Sequence, residues 1–195
     1  MGRISKIFVG RISVIILLLI AAPNMYAQTS EIEDSLLDIK IGSDIGVLDK
    51  KYPGLYKHVL VLGEILYEAC NQKDLEVFTF VEEPWSLGHI TYISVRKENN
   101  VSVCRDAEGT LPDLNINPIT LGDIKLGDEE QKVLDKYGTP TESHEVKGKK
   151  ILRYSLNPSK KDILVSKGFF HFTISNNRVI AFSLEGDMPG VNKPQ

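Results

Sequence analysis

The chain has 195 residues, and its 26 acidic residues outnumber its 23 Lys and Arg residues, which gives a net charge of −3 at pH 7. Without the first 27 residues, three of them basic and none acidic, the remaining 168 residues carry a net charge of −6. This balance argues against nucleic acid and anionic membrane surfaces as partners, because both require a basic surface. The 168 residues are enough for one ordinary domain or two very small ones.

The first 27 residues have the pattern of a secretory signal peptide. Arg3, Lys6 and Arg11 form a basic segment, an apolar run follows at 14–22, and residues 25–27 form a cleavage site. The apolar run is shorter than the ~20 residues that a membrane-spanning helix needs. The sequence therefore predicts cleavage and export, with a retained anchor as the alternative.

One phrase occurs twice, 85 positions apart. It reads DIKIGSDIGVLDKKYPG at positions 38–54 and DIKLGDEEQKVLDKYGTP at positions 123–140. Such a repeat indicates one supersecondary unit stacked on a copy of itself. We therefore predict an α+β fold of two tandem repeats, each a short helical segment packed on an antiparallel β-meander. The predicted boundaries are a signal peptide at 1–27, a lead-in at 28–37, repeat 1 at 38–106, a linker at 107–120, repeat 2 at 121–187 and a tail at 188–195.

Both copies of the phrase contain signals for the start of a helix. In the second copy Asp128 is the expected N-cap, and Gln131 completes a capping box three residues later. Gly138 is the expected left-handed residue that ends this helix. In the first copy Ser43 is the expected N-cap. The predicted helices span about 43–52 and 128–137, with apolar stripes of Ile45, Leu48 and Tyr52 in the first and Val133, Leu134 and Tyr137 in the second.

The rest of each repeat has the period of β-strands. Gly63-Glu64 is predicted to form a hairpin turn, and a helix over 55–70 is the alternative because the apolar run there is nearly continuous. Asn99-Asn100 and Asn176-Asn177 are predicted as tight hairpin turns in matching places of the two repeats. The predicted strands are 58–62, 65–70, 75–81, 89–97 and 101–106 in repeat 1, and 143–147, 150–156, 162–166, 169–175 and 178–185 in repeat 2.

Apolar and polar residues alternate along the strands of repeat 2. One sheet face is therefore expected to be apolar and to receive the helix, while the other face is mixed and open. The parity of LEVFTFV and HITYISV in repeat 1 stays ambiguous, since both faces are partly apolar. The expected core residues of repeat 2 are Leu152, Tyr154, Leu156, Phe170, Phe172, Ile174, Ile180, Phe182 and Leu184.

Two cysteines, Cys70 and Cys104, would meet an oxidising compartment after export. A disulfide between them is then the obvious interpretation. Against it, both lie on predicted strands of one sheet with other strands between them, and a separation of two strands exceeds the reach of a disulfide. Both alternatives stay open, and the strand geometry favours free cysteines.

The sequence contains no recognisable catalytic or metal-binding constellation. The four histidines lack metal-ligand spacing, although His89 and His171 could occupy equivalent places on the open face. The motif G-x-S-x-G is absent, and the glycines mark turns rather than a phosphate-binding loop. We therefore predict no enzyme activity, no cofactor and no metal ion.

The open sheet face is the predicted binding surface, with aromatic anchors near its middle and polar residues around them. Trp85 is expected at the sheet margin, in the loop EEPWSLG. The alternative is that the rings of Trp85 and Tyr92 pack in the core. The predicted surface residues are Trp85, Tyr92, Arg153, His171, Thr173 and Ser183.

The pattern I-x-[IL]-G, then V-L and Y-G-x-P, followed by a short antiparallel meander, resembles two related families. These are the small outer-membrane assembly lipoproteins of the SmpA/OmlA type and the tandem-repeat β-lactamase inhibitory proteins. The match is good over 123–184 and loose over 38–103. The resemblance implies a helical segment packed on an antiparallel sheet, used twice, and protein–protein binding without catalysis. The chain departs from these families in having no lipobox and no paired cysteines in its second repeat.

These observations predict an exported, non-catalytic protein-binding module, periplasmic or secreted, with an unknown protein partner and no membrane span after signal cleavage. An envelope-associated structural or assembly factor is the alternative, and a cell-wall hydrolase is the third. The sequence predicts neither the identity of the partner nor the oligomeric state.

Overall fold

The computed structural model describes residues 35–99, 104, 111–114, 120–156 and 167–187. The predicted signal peptide, the predicted strand at 162–166, the tail and most of the linker lie outside these residues. The described elements are β1 Ser35–Leu36, β2 Ile39–Lys40, α1 Ile45–Lys51, β3 Tyr56–Val59, β4 Ile65–Asn71, β5 Glu76–Glu82, β6 Ile90–Lys97, β7 Thr120–Leu121, β8 Ile124–Lys125, α2 Glu130–Tyr137, β9 Glu142–Val146, β10 Lys149–Leu156, β11 Lys167–Ser175 and β12 Arg178–Asp187.

Eight of the strands form one antiparallel sheet in the order β3-β4-β5-β6-β12-β11-β10-β9. The first half of the chain supplies four neighbouring strands, β3 to β6, and the second half supplies the other four, β9 to β12. The halves meet where β6 pairs with β12, from Ala181 opposite Arg96 to Glu185 opposite Tyr92. The predicted combination of short helices with antiparallel strands is therefore confirmed, and the strands join in a single broad sheet.

Each half begins with a small two-stranded hairpin that leads into its helix. The first hairpin turns at Leu37 and Asp38, whose φ values of 59° and 52° suit a tight turn. Its strand β1 lies within the predicted lead-in, and the side chain of Leu36 is buried. The packed structure thus begins before position 38.

The core lies between the two helices and one face of the large sheet, as predicted. Leu48 of α1 and Val133 of α2 are fully buried against this face. The inward side chains form two rows that cross the sheet in register, because paired residues in neighbouring strands point to the same side. One row is Tyr67, Phe80, Ile93, Leu184, Phe170 and Tyr154, and the other is Ala69, Phe78, Val95, Phe182, Phe172 and Leu152.

Both helices begin later than predicted, with different caps. The N-cap of α1 is Asp44, whose carboxylate accepts a hydrogen bond from the Gly46 N–H at 2.7 Å, so the prediction of Ser43 is wrong. The N-cap of α2 is Glu129, which makes no side-chain cap bond. Asp128 instead accepts hydrogen bonds from the Lys125 N–H and from the Lys132 ammonium group.

The predicted capping box at α2 is also wrong. Gln131 donates its side-chain hydrogen bond to Asp135 within the helix, at 2.8 Å. The predicted end of this helix is confirmed, because Gly138 has a φ of 73° and its N–H donates to the Leu134 carbonyl.

The first predicted hairpin is confirmed and the alternative helix over 55–70 is wrong. Strand β3 pairs with β4 around a turn in which Gly63 has a φ of 82°. The predicted hairpin around Asn99-Asn100 is wrong, since β6 is already paired on both edges, by β5 and by β12. The turn at Asn176-Asn177 is confirmed, with φ values of 49° and 60°.

The prediction that Ile180 of β12 is a core residue is wrong because of a β-bulge. The register between β11 and β12 shifts at Thr173 and Ile174, so that Ile174 pairs with Val179. Val179 is fully buried as a result, and Ile180 is only partly buried. The other predicted core residues of repeat 2 are buried.

A disulfide joins Cys70 and Cys104, so the geometric argument for free cysteines is wrong. Its premise fails because Cys70 is on β4 whereas Cys104 is not on a strand. The bridge lies in a small second cluster of buried side chains that includes Val77 and Leu111.

Residues 111–114 run beside β4 at the disulfide. The Cys70 N–H donates to the Pro112 carbonyl at 3.0 Å, and the Leu114 N–H donates to the Cys70 carbonyl at 3.0 Å. This segment pairs with the edge of β4 beyond Glu68, which is the last β4 residue that pairs with β3.

Candidate functional site

The sheet face opposite the helices is called the open face here. In the described part of the chain no helix packs on it, and only the cluster around the disulfide lies at one corner. Its central residues follow from the register of neighbouring strands. In order across the sheet they are Glu68, Thr79, Ser94, Ser183, His171, Arg153 and Glu142.

Five of the six predicted surface residues lie on this face. Arg153 is opposite His171, and His171 is opposite Ser183, so these three are direct cross-strand neighbours. Thr173 is on the same side of β11, two residues from His171, and Tyr92 is opposite Glu185 at the junction of the two halves. The structure therefore brings together residues that are more than 90 positions apart in the sequence.

Trp85 is not part of this group. The main chain of its loop is bonded to the start of α1, since the Ile45 N–H donates to the Gly88 carbonyl at 2.8 Å. The indole ring is half-buried, and its Nε1 atom is buried without a hydrogen-bond partner. His89 belongs to the same segment and pairs with Asp44, so it does not occupy a place equivalent to that of His171.

Small hydroxyl side chains form the floor of the open face. Thr79, Ser94 and Ser183 are consecutive cross-strand neighbours, and all three are buried. Larger side chains flank them, with Arg96 on one side and Tyr92 on the other. The middle of the face is therefore low and its margins are raised.

A charged network in the first half completes the face. Arg96 Nε donates to Glu98 at 2.8 Å, and Arg96 Nη1 donates to Thr79 Oγ1 at 3.2 Å. Thr79 Oγ1 in turn donates to Glu68 at 3.1 Å, and His58 Nε2 lies 3.5 Å from the same carboxylate. The sequence does not predict these residues as part of the face, because strand parity is ambiguous in the first half. The alternation of Glu68 with the buried residues Tyr67 and Ala69 is the signal that identifies them.

Arg153 is held in place on both sides of its guanidinium group. Nη1 donates to Glu142 at 3.1 Å, and the Cζ atom lies 3.6 Å from the centre of the Phe169 ring. A stacked and paired arginine is a rigid cation, which lowers the entropic cost of using it to bind a partner.

His171 is mostly buried between charged neighbours. Burial lowers the pKa of its imidazole below the usual value, and the adjacent Arg153 and His144 act in the same direction, while Glu185 and Glu142 oppose them. Its Nε2 atom lies 3.6 Å from Glu185 but has no hydrogen-bond partner. His171 is therefore predominantly neutral at pH 7.

A groove of about 310 Å³ lies at one end of the open face. Tyr92 and Glu185, which pair across the junction of the halves, form its inner wall. Glu64 and Glu83 line it from the two loops at this end of the sheet. The groove is thus acidic and has an aromatic wall.

Two further properties concern the described residues as a group. They contain no cluster of three or more His, Cys, Asp or Glu side chains arranged to hold a metal ion. Neither of the helices described for this chain has the length and apolarity required to cross a membrane.

Comparison of the chain with protein-family models, with curated proteins and with solved structures finds no match.

Proposed function

We propose that this chain is an exported, non-catalytic module that binds another protein through the open face of its sheet. The observation that supports the proposal is the difference between the two faces of the eight-stranded sheet. One face is covered by the helices, and the other presents Tyr92, Arg153, His171, Thr173 and Ser183 together. Tyrosine and arginine are among the residue types most enriched in the strong contacts of protein interfaces.

The shape of the face favours a protein over a small molecule. Its floor of hydroxyl side chains is broad, and the groove lined by Tyr92 and Glu185 is open rather than enclosed. Small-molecule sites are usually deep and bury most of the ligand surface. A partner loop or strand laid across the face would contact both halves of the chain.

We also propose that the two halves are tandem repeats. In support, β1 and β7, β2 and β8, and α1 and α2 each begin 85 positions apart. The contacts repeat at the same spacing, because Lys51 pairs with Asp38 at 2.8 Å and Lys136 pairs with Asp123 at 3.2 Å. A duplicated unit that joins its copy edge to edge produces the broad face that the proposed binding needs.

The absence of catalysis is part of the proposal and has two supports. Both cysteines are in the disulfide, so neither is available as a nucleophile. His171 lies opposite Ser183, but its Nε2 atom makes no hydrogen bond, whereas a serine nucleophile needs a bonded base.

Export to the periplasm or beyond is supported by the signal-peptide pattern and by the disulfide. Structural disulfides persist in oxidising compartments and are rare in the cytosol.

The test is affinity capture from the exported fraction of the cells that make the protein. The bait is the purified protein, with a Tyr92→Ala/Arg153→Ala variant on the open face and an Asp49→Ala variant on the exposed surface of α1 as the matched control. We expect the wild type and the control to retain one soluble protein in constant proportion, and the open-face variant to lose it.

Other outcomes would contradict the proposal. Recovery of membrane or cell-wall material without a defined soluble partner favours the envelope-associated factor. Hydrolysis of a cell-wall substrate, abolished by a single substitution, favours the hydrolase.

A further inference from the structure

The tip of the β3–β4 hairpin is a run of four exposed aliphatic residues, Val59–Leu62, called the apolar tip here. Their exposed fractions are 68%, 40%, 102% and 79%. Hairpin turns are normally built from Gly, Asn, Asp and other polar residues, and a run of exposed apolar residues costs solubility unless it has a use. The apolar tip therefore requires an explanation.

The hairpin geometry does not require these residues. The β9–β10 hairpin is at the opposite edge of the same sheet and turns through a glycine 85 positions later, Gly148, with a φ of 72° against 82° for Gly63. Its turn carries Lys147 and Lys149 with a single exposed aliphatic residue, Val146. The hairpin at the corresponding place of the second half is thus closed by a shorter turn, Lys147-Gly148, that is polar.

The apolar tip is held in one conformation. The Leu60 N–H donates to the Glu64 carbonyl at 2.8 Å, and the Gly63 N–H donates to the Leu60 carbonyl at 2.9 Å. A Cβ atom at Gly63 would lie 3.2 Å from Pro84 of the neighbouring loop, so the turn packs closely on that loop. A rigid apolar surface loses little conformational entropy on binding.

Acidic side chains stand beside the apolar tip. Glu64 lies two residues after it in the turn, and Glu64, Glu83 and Glu185 line the groove whose wall is Tyr92. Carboxylates together with an aromatic ring favour a cationic side chain. The combined surface is complementary to a segment with both aliphatic and cationic groups.

We propose that the apolar tip and the adjacent acidic groove form a docking site for a protein segment that carries aliphatic side chains next to Lys or Arg. A phospholipid bilayer is a poorer occupant, because anionic headgroups would be repelled by the carboxylates. A second copy docked tip to tip would place like charges against each other. A copy docked head to tail would offer only Val146 as an aliphatic residue in its basic turn.

This docking site goes beyond the proposed function, because it lies at the end of the sheet rather than on its floor. The two proposals can fail separately. Substitutions in the apolar tip leave Tyr92, Arg153 and His171 unchanged. Because Tyr92 also lines the groove, an Arg153→Ala single variant, which changes neither the groove nor the apolar tip, tests the open face alone.

The experiment uses the full chain and three short labelled peptides with glycine at both ends, and it measures fluorescence anisotropy. One peptide alternates leucine with lysine, one alternates leucine with glutamate, and one alternates serine with lysine. The proteins are the wild type, a Val61→Ser/Leu62→Ser variant, a Glu64→Gln variant, and a Val146→Ser variant as the control at the other hairpin. All substituted residues lie in a hairpin turn or next to one, and circular dichroism checks that each variant is folded.

We expect the wild type to bind the leucine–lysine peptide more tightly than either of the others. The tip variant should bind it about tenfold more weakly or worse, since two exposed aliphatic side chains no longer become buried. The Glu64→Gln variant should also bind more weakly, and the Val146→Ser variant should match the wild type.

Four results would overturn the docking site. They are equal binding of the serine–lysine peptide, unchanged binding by the tip variant, binding of the wild type to phosphatidylcholine vesicles through Val61 and Leu62, and a dimer in sedimentation that the tip variant abolishes. The last two would assign the apolar tip to a bilayer or to a second copy.

Discussion

At the scale of single residues, the open face combines neutral hydroxyl groups with a few constrained charges. His171 is the residue most sensitive to this environment, because its ring is mostly buried beside Arg153. Burying an imidazole favours the neutral form, and here that effect exceeds the opposing attraction of Glu185.

The lowered pKa of His171 predicts that the protein loses stability as the pH falls. The unfolded chain takes up a proton near the ordinary histidine pKa of about 6.5, whereas the folded chain does so only at a lower pH. Between these two values the unfolded state binds more protons, so acidification favours unfolding. Urea denaturation at a series of pH values measures the effect. The free energy of unfolding of a His171→Gln variant should depend less on pH in this window than that of the wild type.

Equal pH dependence of the wild type and the His171→Gln variant would contradict this explanation. It would mean that other groups dominate proton uptake on unfolding.

Leu48 tests the packing of helix on sheet. Its side chain is completely buried in the core, and Leu48→Ala should lower the free energy of unfolding by about 2–5 kcal/mol through lost burial and the remaining cavity. Val47 on the same helix is 47% exposed, so Val47→Ala should have a much smaller effect. Chemical denaturation compares the two, and similar losses would show that α1 is not docked as described. Leu134, an expected stripe residue of α2, is only partly buried and is a less sensitive site.

At the scale of elements, the disulfide holds the segment around 111–114 against β4. It links positions 34 residues apart. The segment contributes only one short run of main-chain hydrogen bonds to β4, so the covalent link supplies much of its attachment.

Reduction of the disulfide is expected to lower the free energy of unfolding by about 2–4 kcal/mol, mainly because the unfolded chain gains conformational freedom. Thermal denaturation with and without a reductant measures the loss. A Cys70→Ala/Cys104→Ala variant should be less stable than the wild type and indifferent to the reductant. A full response to the reductant in that variant would show that the effect is not due to the disulfide.

At the scale of the whole molecule, the two halves share one sheet and one core. Five residue pairs join β6 to β12, and the inward rows continue across this junction from Ile93 to Leu184 and from Val95 to Phe182. Either half alone would expose these side chains.

The shared core predicts that both halves unfold together. Trp85 is the only tryptophan and reports on the first half, while amide exchange of Lys149–Leu156 reports on the second. Both probes should give the same denaturant midpoint, as expected of one cooperative unit. Loss of protection in β10 at a clearly lower denaturant concentration than the change in Trp85 fluorescence would contradict a single unit.

Much of the fold could be predicted from the sequence because the relevant interactions are local. Alternation in β10 and β11 identified their inward residues, Gly138 identified a helix end and Asn176-Asn177 identified a hairpin. The cap predictions failed by one residue because Ser43 and Asp44 are both acceptable caps, as are several acidic residues before α2. Propensity alone does not distinguish such neighbours.

The sequence by itself determined that short helices are combined with antiparallel strands. It also determined the position of most elements and the inward face of the strands in the second half, because the periods of 2 and 3.6 residues depend on neighbouring residues. Only the tertiary structure decided that β6 joins β12, that Cys104 lies outside the strands and is bonded to Cys70, and that the loop of Trp85 is bonded to the start of α1. It also decided that Val59–Leu62 stay exposed, although their composition is that of a core. The physical reason is that these contacts join residues far apart in the chain. Their free energy depends on the surface that each residue meets in the folded protein, and the local sequence pattern does not specify that surface.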